Sequence, residues 1–515
     1  MKHQKLTLPR LAGAYAVGIL VFYPWASRGL VDIAPFKLGV LVAFTFLTLL
    51  LLCLLGGEAP AGLLQKRPQG RTLWVLAWAL LGGVSTALAP SPAAALWGEG
   101  GYVGGWMLCL LCLAGYLLLA FGLRPGMLPW LQKGMILSGA GVGLLGVLNN
   151  FGFDPLGVYP AISPAQWNIF FSTIGNVDYL NSYFCLWLPL AVWLFLQADT
   201  RADRLFGGLG AAAGFVCLAA LDPGIASLGL AFAFLVLLWV RPLAGREPAR
   251  LCLLAVFWAG AQWLVQALHQ LRSLRMVERP FALLGRSAAA LPLMLLFGAA
   301  ALLLRKKPPR PSLRAQRAAV LVCLAGAAGL LVWRNLPGQT ASLGGFDNLF
   351  VLGPGWATGR GAIFADAVYL FAAAPPLRWL LGYGAGSMAA LMQQAAVPYP
   401  LADAIGAHNE YLDLLLHYGL AGLAAWLGVL ASHLRRGLLQ KQTIGWALAL
   451  CAYAGQAFFN NRVAAVFPLA AAMLGLLRVP QTQETPNEPA GSLWPCAFWA
   501  AAGMAVSWAI ACFAV

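Results

Sequence analysis

The chain has 515 residues, of which 61% are hydrophobic and only 10% are charged, and its net charge is +16. A water-soluble globular domain has about a quarter of its residues charged, so this composition excludes that class. The excess of lysine and arginine is typical of loops beside a membrane. We therefore expect the lipid bilayer as a partner, and no nucleic acid.

Hydrophobic runs long enough to cross a bilayer recur from one end of the chain to the other. Because lipid cannot satisfy free backbone N–H and C=O groups, these runs predict an all-α polytopic membrane helix bundle of about 14–15 spans. The predicted spans are 11–26, 36–55, 73–89, 103–121, 134–149, 180–197, 205–221, 225–240, 251–268, 287–304, 318–335, 409–432, 443–459, 463–477 and 494–514.

The spacing of these runs divides the chain into four parts. They are an N-terminal bundle (1–335), a large loop (336–408), further membrane helices (409–477), and a linker with the last span (478–515). With the N-terminus in the cytoplasm, most lysines and arginines fall in inside loops, which puts the large loop outside. A long loop with its own secondary structure is more often functional than a linker, and we expect a short helix within it at 361–373.

The segment AHNEYLDLLLHYGLAGLAAWL (407–427) joins a polar cluster to an apolar helix. Helical spacing puts His408, Gly419 and Gly422 on one stripe, at the mouth of a face shaped for close packing. His408 titrates near neutral pH, and we expect it to act as a catalytic base. The alternative is a histidine that only caps or packs at the membrane interface.

The residues after His408 are expected to support it. Asn409 fits a helix N-cap, Glu410 is a polar neighbour, and Tyr411 either lines the site or belongs to the interfacial aromatic belt. We expect Asp413 and His417 to pair across one helical turn. No metal is expected at this segment, because positions 410 and 417 are separated by about 10 Å along a helix axis.

Arginines in the outside loops lie against the positive-inside bias, and this makes them candidates for binding diphosphate. They are Arg360, Arg378 and Arg279, each of which presents a planar fork of donors to phosphate oxygens. No outside loop contains Asp-x-Asp, the spacing that holds a metal ion against a nucleotide diphosphate. These features favour a polyprenyl-diphosphate-linked sugar as the substrate, with arginine in place of a metal.

The chain resembles the O-antigen ligase and polymerase family of bacterial membrane glycosyltransferases. Three segments carry the resemblance in order: GRGAIFADAV (359–368), LLGYGAGSM (380–388) and HNEYLDLLLHYGLAGLAAWL (408–427). TIGNVDYLNSYFCLWLPL (173–190) is more weakly similar.

The resemblance implies a GT-C-like fold and a metal-independent, inverting transfer of a glycan from undecaprenyl diphosphate to an acceptor hydroxyl. The reaction would take place on the outer face of the cytoplasmic membrane, without a cofactor. The family's essential histidine corresponds to His408, and its loop arginine to Arg360. The chain departs from the family in two places. LDPGIA (221–226) lacks the usual arginine, and Phe364 replaces a tryptophan.

Three alternatives remain open. The acceptor is a lipid glycan, a growing polymer or a protein side chain. A transporter or flippase of lipid-linked oligosaccharide is the second functional class, and it would carry ionisable groups within the spans. A transferase using an acidic first loop would depend on Asp32, but Arg28 and Lys37 nearby favour ordinary loop chemistry there.

Overall fold

A computed structural model describes residues 7–54, 70–98, 104–221, 224–271, 290–310, 312–400, 404–479 and 493–514. Its α-helices, in chain order, are α1 Leu8–Val17, α2 Ile33–Leu54, α3 Arg71–Ala87, α4 Pro92–Trp97, α5 Trp106–Gly122, α6 Leu128–Asn150, α7 Val177–Gln197, α8 Arg201–Leu221, α9 Gly224–Val240, α10 Glu247–Leu271, α11 Ala290–Lys306, α12 Leu313–Arg334, α13 Asp347–Phe350, α14 Trp356–Ala372, α15 Pro376–Leu381, α16 Ser387–Gln394, α17 Glu410–Gly437, α18 Ile444–Gln456, α19 Phe467–Leu476 and α20 Leu493–Ala514. Two short antiparallel strands, β1 Phe170–Phe171 and β2 Gly175–Asn176, precede α7.

The predicted all-α, multi-pass architecture is confirmed. Eight described helices are long and apolar enough to cross a membrane, judged by length and composition: Ile33–Leu54, Pro125–Asn150, Val177–Gln197, Arg201–Leu221, Glu247–Gln270, Leu313–Arg334, Glu410–Gly437 and Pro495–Ala514. Each of the predicted spans overlaps a helix. Some of these helices are short, however, and the 10 residues of α19 extend only about 15 Å, half of a hydrocarbon core. The higher number of spans therefore stays a prediction.

Helix α7 lies at the centre of the bundle. It is apolar on every side and packs against α6, α8, α9 and α18, so nearly all of its residues are buried. Asn176 caps its first turn by accepting a hydrogen bond from the backbone N–H of Asp178 at 2.8 Å. This cap places Asp178 in the first turn of an otherwise uncharged core helix.

Helix α17 is broken at Gly419, which has φ +67° and ψ −171°. A Cβ at this position would lie 2.3 Å from the carbonyl of Leu380, so only glycine fits. The break frees backbone carbonyls of the preceding turn. The N–H groups of Tyr383 and Gly384 donate to two of them, the carbonyls of Leu416 and His417, both at 2.9 Å. The expectation of one unbroken stripe through Gly419 was therefore wrong.

Helices α13 to α16 lie within the segment 336–408. Three residues at the start of α14, from Ala357 to Gly359, have non-helical dihedral angles, so its regular helix begins at Arg360. A helix thus occupies most of the range predicted at 361–373. A small apolar cluster packs this segment onto the first half of α17; it comprises Ala367, Leu370, Met388, Val397, Ala407 and Leu416.

The sequence suggested that Lys37 belongs to a loop, and this expectation was wrong. Lys37 lies within α2 with its side chain fully buried, and its ammonium donates to the carbonyls of Tyr23 and Pro24, both at 3.1 Å. The four-carbon side chain reaches from α2 to the turn that follows α1. Lys37 therefore joins two segments of the bundle and takes no part in a loop around Asp32.

Candidate active site

Four segments of the chain meet at one end of the bundle. They are the start of α7 with Asp178, the start of α14 with Arg360, His408 just before α17, and the turn that follows α18. The guanidinium of Arg360 donates from Nε to the carbonyl of Phe459 at 2.9 Å and from Nη2 to Asp178. The amide of Asn460 donates to the backbone carbonyl of Asp178 at 2.5 Å. The tertiary fold therefore brings together side chains that are far apart in the sequence.

His408 has the left-handed backbone conformation, with φ +48°, which is uncommon for a residue other than glycine. Asn409 follows it as the N-cap of α17 and accepts hydrogen bonds from the backbone N–H groups of Tyr411 and Leu412, so the predicted cap is confirmed. The local backbone thus turns sharply at the histidine. Such conformations persist only where surrounding structure holds them.

The pKa of His408 lies below its ordinary value. Burial is the largest cause, since it disfavours the charged imidazolium, and the positive charge of Arg360 acts in the same direction. The carboxylate of Asp178 opposes both by favouring the charged form. His408, Arg360 and Asp178 are therefore close enough to interact electrostatically. At neutral pH the imidazole is uncharged and able to accept a proton.

All five N–H donors of Arg360 are engaged. Nε binds the carbonyl of Phe459, and Nη1 binds the carbonyl of Ala357 at 3.1 Å and the hydroxyl of Thr358 at 2.8 Å. Nη2 contacts the two carboxylate oxygens of Asp178 at 3.2 and 3.3 Å, and the Arg360 side chain is only 12% exposed. The bonds to Asp178 are the longest of the set. They are the ones that an incoming phosphate group would replace at least cost.

Glu410 and Tyr411, predicted to support the site, both anchor the first turn of α17. Glu410 is 1% exposed and accepts hydrogen bonds from Arg462 at 2.6 Å and from the hydroxyl of Tyr453 at 2.8 Å. The hydroxyl of Tyr411 donates to the carbonyl of Ala454 at 2.7 Å. Both side chains thus tie the residues that follow His408 to α18 and the turn after it.

The predicted pair between Asp413 and His417 was wrong. Asp413 Oδ1 instead accepts a hydrogen bond from the backbone N–H of Ala407 at 2.8 Å, and Nε2 of His417 has no hydrogen-bond partner within the described chain. The carboxylate thus satisfies a backbone N–H group of the loop that turns back over the start of α17. Because this contact is tertiary, helical spacing alone could not reveal it.

Arg378, the second predicted arginine, makes its described contacts away from His408. Nη1 of Arg378 donates to the carbonyl of Gly382 at 3.0 Å, and its guanidinium lies 5.2 Å from the centre of the Tyr383 ring. These contacts hold the turn after α15. Arg279 lies outside the described residues. Of the two arginines that the structure describes, Arg360 is the one that it brings to His408.

Two residues of the site were missed at the level of sequence, Asp178 and Arg462. Arg462 is buried against the rings of Trp78, Trp426 and Phe467, with its guanidinium carbon 4.3–4.9 Å from their centres. The sequence could have indicated Arg462, because it lies in a very short gap between two apolar runs and a charge there needs a partner. The signal for Asp178 was a lone carboxylate at the start of an uncharged span.

Within the described ranges, no three His, Cys, Asp or Glu side chains come together as a group that could hold a metal ion. No protein-family model matches the chain, and no curated protein matches it.

Proposed function

We propose that this chain is a membrane glycosyltransferase of the O-antigen ligase or surface-polysaccharide polymerase type, with a GT-C-like fold. It transfers a glycan from undecaprenyl diphosphate to an acceptor hydroxyl on the outer face of the bacterial cytoplasmic membrane. The observation that supports this most strongly is the meeting of an uncharged His408 with the guanidinium of Arg360 at one end of an apolar bundle. A base and a fixed cation are the two groups that this reaction requires.

In the proposed reaction, His408 takes the proton of the acceptor hydroxyl. The hydroxyl oxygen then forms a bond to the anomeric carbon as the bond from that carbon to the diphosphate oxygen breaks, so a single displacement inverts the configuration. The leaving undecaprenyl diphosphate carries away the electron pair. Arg360 stabilises its developing negative charge with its fixed positive charge and the two N–H donors of Nη2.

Donor binding requires Arg360 to exchange partners. The two contacts from Nη2 to Asp178 give way to phosphate oxygens, while the bonds to Phe459 and Ala357 keep the guanidinium in place. Asp178 then remains beside the imidazole, where its carboxylate stabilises the imidazolium formed during transfer. Arg378 and Arg279 stay predictions as further diphosphate contacts.

The experiment that tests the proposal follows the glycan itself. The full chain is placed in nanodiscs with labelled undecaprenyl-diphosphate-linked glycan and an extract of acceptor glycans, lipids and proteins from the same envelope. A transferase moves the label out of the lipid-linked fraction and releases undecaprenyl diphosphate. A transporter of lipid-linked oligosaccharide leaves the glycosidic bond to the diphosphate intact, and that result would contradict the proposal.

The rate of transfer is expected to fall only at acidic pH. Because the pKa of His408 is lowered, the imidazole stays uncharged at neutral pH and protonates only as the pH drops below the ordinary histidine value, near 6.5. The pH profile of kcat/KM should therefore have an acidic limb below that value. Since Asp178 raises the pKa of His408, Asp178→Asn should move this limb to lower pH. Asp347→Asn, which removes a carboxylate paired with Arg334, should not move it. An acidic limb that lies above the ordinary histidine pKa would contradict the assignment of His408 as the base.

Transfer is expected to continue in the presence of a chelator, because the proposal assigns the stabilisation of the diphosphate to Arg360. The measurement compares rates before and after dialysis against EDTA. Loss of activity that is restored by Mg²⁺ or Mn²⁺ would show that a divalent ion shares this role.

A further inference from the structure

A recess with several polar lining residues opens at the start of α17, next to the segment that carries His408. It has an empty volume of about 490 Å³, with the open solvent at its mouth included. Its polar lining comes from the first half of α17 and from the turn that follows α18: Glu410, Asp413, His417, Asn461 and Arg462, together with Gly406. Gly406 and Glu410 each lie two positions from His408 in the sequence, so a ligand in the recess adjoins the proposed base.

The side chain of Asn461 is the main evidence that the recess binds a ligand. This side chain is 4% exposed, it lines the recess, and neither its amide oxygen nor its amide nitrogen has a hydrogen-bond partner within the described chain. Nε2 of His417 in the same lining is also without a partner. Buried polar groups are nearly always satisfied, and the exceptions are where a bound molecule is expected.

The arginine that lines the recess is already paired. Glu410 and Arg462 form an ion pair at 2.6 Å, and the guanidinium is further enclosed by aromatic rings. Among the described lining residues the remaining ionisable groups are Asp413 and His417, so the lining offers a phosphate group no unpaired arginine or lysine. An amide that both donates and accepts, a carboxyl oxygen and a ring nitrogen together match neighbouring hydroxyl groups.

The recess has space because glycines line it. Gly98, Gly104 and Gly386 contribute no side chains, and a Cβ on Gly406 would lie 3.1 Å from Oδ1 of Asn461 and 3.4 Å from Oδ1 of Asp413. Even a methyl group at position 406 would therefore crowd the unsatisfied amide.

We infer that this recess binds an uncharged sugar ring of the glycan substrate, with Asn461 contacting two of its hydroxyl groups. The inference rests on the proposed function and assigns the part of the substrate that Arg360 does not hold. The sugar belongs either to the lipid-linked donor or to the acceptor. Both present the same hydroxyl chemistry next to His408.

Binding is measured with the full chain in nanodiscs and three probes: undecaprenyl diphosphate, the same lipid bearing N-acetylglucosamine, and the methyl glycosides of glucose, galactose and N-acetylglucosamine. The variant is Asn461→Ala. Asn150→Ala is the matched control, because Asn150 is also fully buried with both amide atoms unpartnered, but it lies in α6 and does not line the recess. Melting temperatures confirm that both variants fold.

For a donor sugar, Asn461→Ala should weaken binding of the glycosylated lipid about tenfold, as expected for the loss of two neutral hydrogen bonds, and leave the bare lipid unchanged. For an acceptor sugar, only the methyl glycosides should bind about tenfold more weakly. Asn150→Ala should leave all three probes unchanged. Unchanged binding of every probe to Asn461→Ala, or equal weakening of bare and glycosylated lipid, overturns the inference.

Failure of the proposed function gives a different result. If the wild-type chain binds glycosides in an Asn461-dependent way but transfers no glycan, the recess is a sugar site in a protein of another activity. If transfer occurs and Asn461→Ala binds every probe as the wild type does, the transferase proposal stands and the sugar site is wrong.

Discussion

Replacing His408 with asparagine is expected to slow glycan transfer by at least about a hundredfold, the usual contribution of a general base. Asparagine is the informative substitution because the backbone at this position has φ +48°. Asparagine tolerates that left-handed conformation, whereas alanine would add strain that obscures the loss of the imidazole. The measurement is kcat for release of undecaprenyl diphosphate, with protein abundance and melting temperature compared in parallel.

Chemical rescue separates a catalytic role of His408 from a structural one. His408→Gly also accepts the left-handed backbone, and it leaves space where the ring had been. Added imidazole should restore part of its activity, and the restored rate should rise with the fraction of uncharged imidazole. Activity of His408→Asn at the wild-type level would contradict the assignment of His408 as the base.

Arg360→Lys is expected to reduce transfer by about a hundredfold, comparable to removing one preorganised donor from an oxyanion site. The guanidinium makes five hydrogen bonds to four partners in a fixed plane. A single ammonium cannot hold Phe459, Ala357 and a diphosphate at once. The measurement is again kcat/KM, together with binding of undecaprenyl diphosphate to the nanodisc-embedded chain.

Arg334→Lys is the matched control for Arg360→Lys. Arg334 also pairs with a carboxylate, that of Asp347 at 2.7 Å, but the pair lies at the end of α12 and has no contact with His408 among the described interactions. The Arg334→Lys variant should transfer glycan at nearly the wild-type rate. Full activity of Arg360→Lys would reduce Arg360 to a general positive charge near the site.

The helices could be predicted from the sequence because their signal is local. A run of apolar residues fixes the existence of a membrane helix whatever surrounds it, and all the predicted spans overlap helices. The number of crossings could not be fixed in this way, since α19 is apolar but only 10 residues long.

The candidate site could be predicted only in part, for the same physical reason. His408 stood out because an ionisable group adjoined an apolar helix, and Arg360 because it opposed the charge bias of its loop. Asp178 is 182 positions from Arg360, and nothing in either segment indicates that they pair. The contact of Asp413 with Ala407 likewise depends on the return of the loop over the helix, which periodicity does not encode.

The enclosure of Arg462 restricts how this region of the sequence can evolve. Its guanidinium and the carboxylate of Glu410 are both almost fully buried, 52 positions apart, and they balance each other. A single substitution at either position strands a charge in an apolar interior, which typically destabilises a protein by about 3–5 kcal/mol. We therefore expect related chains either to keep both residues or to replace both, so that substitutions at the two positions are correlated.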